Sequence, residues 1–263
     1  MTKCILIGID GMTQMGFKTA NTPIMNKLID NGILINNAIN QVPTVSKTNW
    51  LSMLSGVSVK RHHVKNNDNI PKSYGCKTVY HHIKKQYPNS NTALIYEWDG
   101  IYDIIKGENI NYVKLCSNIS HIENNVSKCF KQNPDFIFIH YVGVDKCGHK
   151  FGYNTPKYIQ MISRIDKSIG KILGKLNRSK LINDYSIIIS TDHGGDGKSH
   201  GGISSVERRI PIILSGNIIK KYQIRKSRKY SILDIAPTIL NLLQIKTRFK
   251  LDGKSLLEDI RRY

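Results

Sequence analysis

No apolar run in the chain approaches the ~20 residues that a membrane-spanning helix requires. The opening MTKCILIGIDG has neither the basic flank nor the long apolar core and cleavage signal of a secretory leader. A cytoplasmic chain with no integral membrane segment is therefore expected. Cysteine is sparse: Cys4, Cys76, Cys116, Cys129 and Cys147 show no C-x-x-C spacing, and an odd number cannot pair completely within the chain. Free thiols are expected, which argues against a cysteine-built zinc site. Acidic residues are scarce, 19 Asp plus Glu against 39 Lys plus Arg, for a net charge of +20. That excess attracts anionic partners, either nucleic acid or phosphorylated small molecules. The cations are spread along the chain, densest from Arg225 to Lys229, and no nucleic-acid-binding motif accompanies them. Internal repeats, heptads and low-complexity linkers are also missing, and Lys65 to Lys72 reads as a loop.

What remains is a chain of 263 residues, 40% hydrophobic, long enough to bury a large core. Apolar runs of strand length alternate with helical patterns, the mark of a mostly parallel sheet covered by helices on both faces. The strands are expected at Cys4 to Ile9, Ile33 to Ala38, Thr92 to Tyr96, Tyr112 to Leu115, Phe136 to Tyr141, Ser186 to Ser190 and Ile210 to Leu214. Thr22 and Pro23 supply an N-cap and an N1 proline for a helix through Asp30, which Asn31-Gly32 stops. Further helices are expected at Thr48 to Leu54, Cys76 to Gln86, Ile122 to Lys131, Pro156 to Leu176 and Ile232 to Leu243.

In open α/β sheets functional groups collect where strands end, and four polar clusters lie in such places. Asp10-Gly11 ends the first strand; alone it is an ordinary turn. The segment PTVSKTNW leads from a loop into a helix, where the Ser46 hydroxyl faces free N–H groups that would also hold a phosphate, or simply caps the helix. Asp145 and His149, on what reads as a loop after the apolar strand Phe136 to Tyr141, have the spacing to converge on one cation. Asp192-His193-Gly194-Gly195, followed by His200-Gly201-Gly202, forms a metal-site pattern. Together they give six N/O ligands and a bridging hydroxyl. That set suits two ions, because a catalytic zinc keeps three protein ligands and an open position.

These motifs resemble the alkaline phosphatase superfamily, and within it the type I phosphodiesterase and nucleotide pyrophosphatase branch. The resemblance runs from Asp10-Gly11 through PTVSKTNWLSMLSG, YVGVDKCGHKFG, TDHGG and SHGG to Ile232 to Gly253. It implies a three-layer α/β fold in which residues 1–263 form a single catalytic domain. One metal is implied on Asp145, His149 and His200, and another on Asp10, Asp192, His193 and the oxygen of Ser46. Ser46 aligns with the nucleophile, and Asn49 with an asparagine that holds a non-bridging phosphoryl oxygen. Two Zn²⁺ are implied, although O/N ligands also accept Mn²⁺. The chain departs from many relatives in having Thr48 in place of proline and His62-His63 in place of His-Gly.

The expected function is hydrolysis of a nucleotide-like phosphodiester or pyrophosphate through a phosphoseryl intermediate on Ser46. A neutral amide at Asn49 suits a diester, whereas an arginine there would favour monoesters. The alternatives are a phosphomonoesterase or phosphotransferase of the same superfamily, and a basic nucleic-acid-binding protein on an inactive phosphatase-like fold. His62, His63, His81, His82, His121 and His140 lack partner spacing and read as surface, turn or packing residues, and Trp50 and Trp98 as packing residues. Lys47 reads either as an aid to an anionic substrate or as a solvated charge.

Overall fold

The structure, a computed structural model, describes residues 2–68, 71, 75–219, 222–224 and 228–262. The basic segment from Arg225 lies largely outside the described residues, as does part of the expected loop ending at Lys72. The main sheet comprises β1 (Lys3–Ile9), β2 (Gly32–Ile39), β3 (Thr92–Tyr96), β4 (Tyr112–Leu115), β5 (Phe136–Tyr141), β6 (Tyr185–Ser190) and β7 (Arg209–Ser215). Two short strands, β8 (Tyr222–Ile224) and β9 (Ile260–Arg262), pair separately. The helices are α1 (Gln14–Thr19), α2 (Pro23–Asp30), α3 (Ser46–Ser55), α4 (Val59–His62), α5 (Val79–Gln86), α6 (Gly100–Ile105), α7 (Ile119–Phe130), α8 (Gly143–Phe151), α9 (Pro156–Arg178), α10 (Ser205–Arg208) and α11 (Ile235–Leu242).

The sheet order is β2-β7-β6-β1-β5-β3-β4, and β7 alone runs against the others. β1, β5 and β6 are near-continuous apolar runs because both of their faces are covered. Their alternation splits the core: Cys4, Leu6, Phe136, Phe138 and Ile188 face the layer of α3, α5 and α11. Ile5, Ile7, Ile137, Ile139, Ile187 and Ile189 face that of α7 and α9. On α9 the buried Tyr158, Ile162, Ile165, Ile169, Ile172 and Leu176 recur at helical spacing, and each such side chain stabilises the packing by roughly 1.5–3 kcal/mol.

The fold is thus the expected three-layer α/β arrangement with a mostly parallel sheet. Differences are local. Thr22 precedes α2 but makes no side-chain cap bond; the buried Asp166 of α9 instead accepts Ile24 N at 3.1 Å and Met25 N at 2.8 Å. All five cysteines are free. Among the described residues no helix is long and apolar enough to cross a membrane.

Candidate active site

The strand order explains the convergence. β6, β1 and β5 are adjacent and parallel, so the residues after their carboxyl ends are neighbours whatever their distance in sequence. Asp10 follows β1, Asp192 and His193 follow β6, and β5 leads through Val142 into α8. The expected loop carrying Asp145 and His149 is in fact this helix. The correction tightens the geometry, because residues four apart share one helical face.

Asp10, Asp192 and His193 have ligand atoms all within 4.8 Å of one another, and so do Asp145, His193 and His200. His193 thus lies between the two sets. His149 Nε2 reaches Asp145 Oδ2 at 3.3 Å, and His200 Nε2 is 3.8 Å from Asp145 Oδ1. Each imidazole uses Nδ1 on a backbone carbonyl: His149 on Lys198 at 2.9 Å, His193 on Gly194 at 2.8 Å and His200 on Thr44 at 2.8 Å. A carbonyl only accepts, so Nδ1 carries a proton and Nε2 of each ring is turned toward the carboxylates; the hydrogen bond to Asp145 raises His149 to about 9, so its Nε2 carries a proton as well. Metal-binding histidines are held in this way.

The carboxylates also fit a cation. Asp10 Oδ1 and Asp192 Oδ2 are buried and accept no hydrogen bond, although Asp192 Oδ2 lies 3.1 Å from His193 Nε2. A carboxylate oxygen facing an imidazole lone pair at that distance is unfavourable until a cation or proton lies between them. Burial raises the Asp192 carboxyl well above the usual range, and the Asp10 and Asp145 carboxylates add to this. Burial also pushes up Asp145, but the hydrogen bond from His149, the nearby His193 and His200, and the Tyr153 hydroxyl bonded to Oδ1 bring it to about 2. Burial, reinforced by His200, lowers His193 to about 4.

Ser46 is the first residue of α3, only 4% exposed, with its Oγ 3.0 Å from His193 Nε2. It does not cap the helix; Val45 occupies that position. A Ser-His-Asp triad is not formed. The acid of a triad orients the ring through the nitrogen remote from serine, whereas here Ser46, Asp10 and Asp192 all face Nε2 and Nδ1 bonds a carbonyl.

The role expected for Asn49 needs correction. Asn49 is fully buried; its Oδ1 accepts Gln41 N at 2.7 Å and its Nδ2 donates to the carbonyls of Gln41, Pro43 and Val45 at 3.1–3.3 Å. The amide therefore braces the loop before Ser46 and has no hydrogen left for a phosphoryl oxygen. Asn67 supplies an amide in a better place: its Oδ1 accepts Lys47 N at 3.0 Å, one residue from Ser46. Among the described residues its Nδ2 meets no hydrogen-bond acceptor. Lys47 is not a solvated charge but is buried and paired with Asp103 at 2.7 Å.

Other side chains that sequence reading passed over hold the site together. Thr44 Oγ1 accepts Gly201 N at 2.9 Å and donates to Gly202 O at 3.0 Å, while its carbonyl holds His200. Glu207 accepts Gly202 N at 2.7 Å and Ser204 N at 3.1 Å. Asn40 Nδ2 joins the carbonyls of Asp192 and Glu207 at 3.0 Å each. His140 and Trp50 both donate to Asp10. The available signal for these was polarity at a buried strand or loop position.

A mostly parallel sheet whose carboxyl edge gathers two carboxylate-imidazole sets around a helix-borne serine places the protein in the alkaline phosphatase superfamily. Residues 4–90 and 69–203 match the type I phosphodiesterase / nucleotide pyrophosphatase family, and the chain belongs to that family. It is 23% identical over 214 residues to the human bis(5'-adenosyl)-triphosphatase ENPP4, covering 73% of this chain and 47% of that protein. A phosphopentomutase of Alkaliphilus metalliredigens (strain QYMF) is 33% identical over 148 residues, 55% of this chain and 35% of that protein. The chain thus spans about half or less of these curated relatives. In fold it is similar to murine ectonucleotide pyrophosphatase / phosphodiesterase 5, solved as an inactive form in complex with AMP. That likeness has a TM-score of 0.80 at 15% identity, covering 99% of this chain and 100% of that one.

Proposed function

We propose that the chain hydrolyses a nucleotide-like phosphodiester or pyrophosphate bond, with Ser46 as nucleophile. The observation that carries this reading is the Ser46 hydroxyl at a helix N-terminus, 3.0 Å from an imidazole shared by two metal-ligand sets. Asp10, Asp192, His193 and Ser46 would hold one Zn²⁺ or Mn²⁺, and Asp145, His149 and His200 the other. Such ions, when bound, lower the pKa of the serine hydroxyl and stabilise charge on the phosphoryl oxygens.

Ser46 Oγ attacks phosphorus, the bond to the leaving ester oxygen breaks, and a phosphoseryl group remains. Water then cleaves the P–Oγ bond and restores the hydroxyl. The N–H groups of Ser46 and Thr48 in the first turn of α3 face the charge that builds up, and Asn67, whose Oδ1 holds Lys47 N, offers a neutral donor beside them. A diester fits because the cation next to the nucleophile is already paired with Asp103; a monoester's second negative charge gains little here. The mutase relative supports a second reading, transfer of the phosphoseryl group to another hydroxyl rather than to water.

The test compares kcat/KM for bis-p-nitrophenyl phosphate and p-nitrophenyl phosphate at saturating Zn²⁺ and constant salt, followed by a panel of nucleotide diesters and pyrophosphates. Higher diester turnover with release into water is expected. Stronger monoester turnover, or product appearing only with an acceptor hydroxyl present, would overturn it.

A further inference from the structure

Asp10 and Asp192 are each pinned at one oxygen, but Asp192 Oδ1 is held by Gly11 N at 3.1 Å from the adjacent strand end, whereas both donors to Asp10 are aromatic side chains. Asp10 Oδ2 receives two N–H donors, Trp50 Nε1 at 3.1 Å and His140 Nε2 at 3.1 Å. Its Oδ1 has no hydrogen-bond partner and lies 3.7 Å from His193 Nε2. A carboxylate free to rotate can offer either oxygen or both. This one is pinned at one oxygen and presents the other.

The two donors come from different layers. His140 is the next-to-last residue of β5 and is paired in register with Gly8 of β1, two residues before Asp10. Trp50 lies on α3 four residues after Ser46, about one helical turn away. Its indole is wedged across β1: a Cβ at Gly8 would collide with the ring, which packs edge-on to His140 at 5.0 Å and tilted against Phe138 at 5.5 Å. α3 therefore delivers the nucleophile at its first residue and a hydrogen bond to Asp10 from its next turn.

Packing alone does not account for His140. Its side chain is fully buried beside Phe138, and Nδ1 has no hydrogen-bond partner. Leaving a buried polar atom unpaired costs about 1–3 kcal/mol. An apolar ring would avoid that cost but could not donate to Asp10.

We infer that Trp50 and His140 are positioning residues that present Asp10 Oδ1 alone to the Asp10, Asp192 and His193 metal set, with Trp50 also fixing Ser46 relative to that set. This rests on the metal-dependent reading above, so the test measures metal binding directly. Zn²⁺ is titrated calorimetrically into the metal-stripped chain, with melting curves recorded in parallel, for wild type, His140→Leu, His140→Gln and Trp50→Phe.

Wild type is expected to take up two Zn²⁺. His140→Leu and Trp50→Phe should each weaken one of them by roughly 10–100-fold, the range for loss of a group supporting a metal ligand, and leave the other within about threefold. His140→Gln, whose amide nitrogen falls near the Nε2 position, should recover most of the lost affinity. In turnover assays Trp50→Phe should lower kcat more than it raises KM. Unchanged affinity for both ions in a folded His140→Leu protein overturns the inference alone. So does equal weakening of both ions with no recovery in His140→Gln, the sign of a merely structural role. A wild-type chain that binds no Zn²⁺ overturns the metal reading and this inference with it.

Discussion

Two asparagines near the nucleophile should fail in opposite ways when changed to alanine. Asn49→Ala removes an acceptor from Gln41 N and donors from three carbonyls in a buried place. Each buried group left unsatisfied costs about 1–3 kcal/mol. With two such groups left the loss is on the order of 2–6 kcal/mol, and at ~2–4 °C per kcal/mol for a domain of this size Tm falls by roughly 4–24 °C. Asn67→Ala removes one bond, to Lys47 N, from a half-buried residue. That loss is worth about 0.5–1.5 kcal/mol and shifts Tm by roughly 5 °C or less. Its effect on rate is larger, because losing one donor to a developing oxyanion typically lowers kcat by about 10²–10³. The assay pairs thermal melting with kcat/KM for bis-p-nitrophenyl phosphate at saturating Zn²⁺, scaled to the folded fraction. If Asn49→Ala melted like wild type yet lost a hundredfold in activity, while Asn67→Ala stayed active, the assignment of the two amides would be wrong.

Ser46→Ala should abolish turnover of the same diester while calorimetry still finds both Zn²⁺ sites, because the hydroxyl is one ligand among several. A dead Thr48→Ala with near-normal Ser46→Ala would move the nucleophile to the buried, unpartnered Thr48 hydroxyl. Chelation should lower Tm and make the stripped protein less stable as pH rises above the ordinary carboxylate range. Asp192 is raised in the folded state, so the unfolded chain ionises first and gains the advantage; Zn²⁺ replaces that proton and should flatten the slope. A Tm unaffected by chelation speaks against the buried carboxylates as a metal site. On the acid side, burial lowers His62 and His82 to about 4 each. The unfolded chain therefore takes up protons between pH 6.5 and 4 that the folded chain refuses, and stability falls through that window. At about 1.4 kcal/mol per pKa unit the His62 share is on the order of 3–4 kcal/mol. Urea melts of His62→Gln that retain the full acid slope would remove His62 from the account.

The seven strands of the main sheet were readable to within about a residue, the inner ones because a strand covered on both faces must be apolar throughout, whereas β8 and β9, three residues each, carried no signal. The helix α8 was not. Val144, Cys147 and Phe151 do recur at helical spacing, but Gly143 and Gly148 within nine residues read as turn formers, and docking against α9 outweighs them. Helices of four to six residues such as α1, α4, α6 and α10 are too short for a periodic signal. The metal-site candidates were legible because Asp and His at strand ends converge through sheet order. Asn49 took its expected role from alignment of one motif with the resembled family, which does not show that its amide is spent on the loop before Ser46; twenty residues of intervening chain return Asn67 to the same helix end, which spacing along the chain does not reveal.

His140 carries a signal that a stricter use of period two would have caught. In FIFIHY, Phe136 and Phe138 face the layer under α3, and the next residue of the same parity is His140. A polar ring on a face that is otherwise buried and apolar requires a partner within hydrogen-bond reach. The only strand ends near it in a parallel sheet are those of its neighbours, β1 and β3. Asp10 follows β1 and Glu97 follows β3, so the pattern reduces the partner to two carboxylates, and the structure selects Asp10.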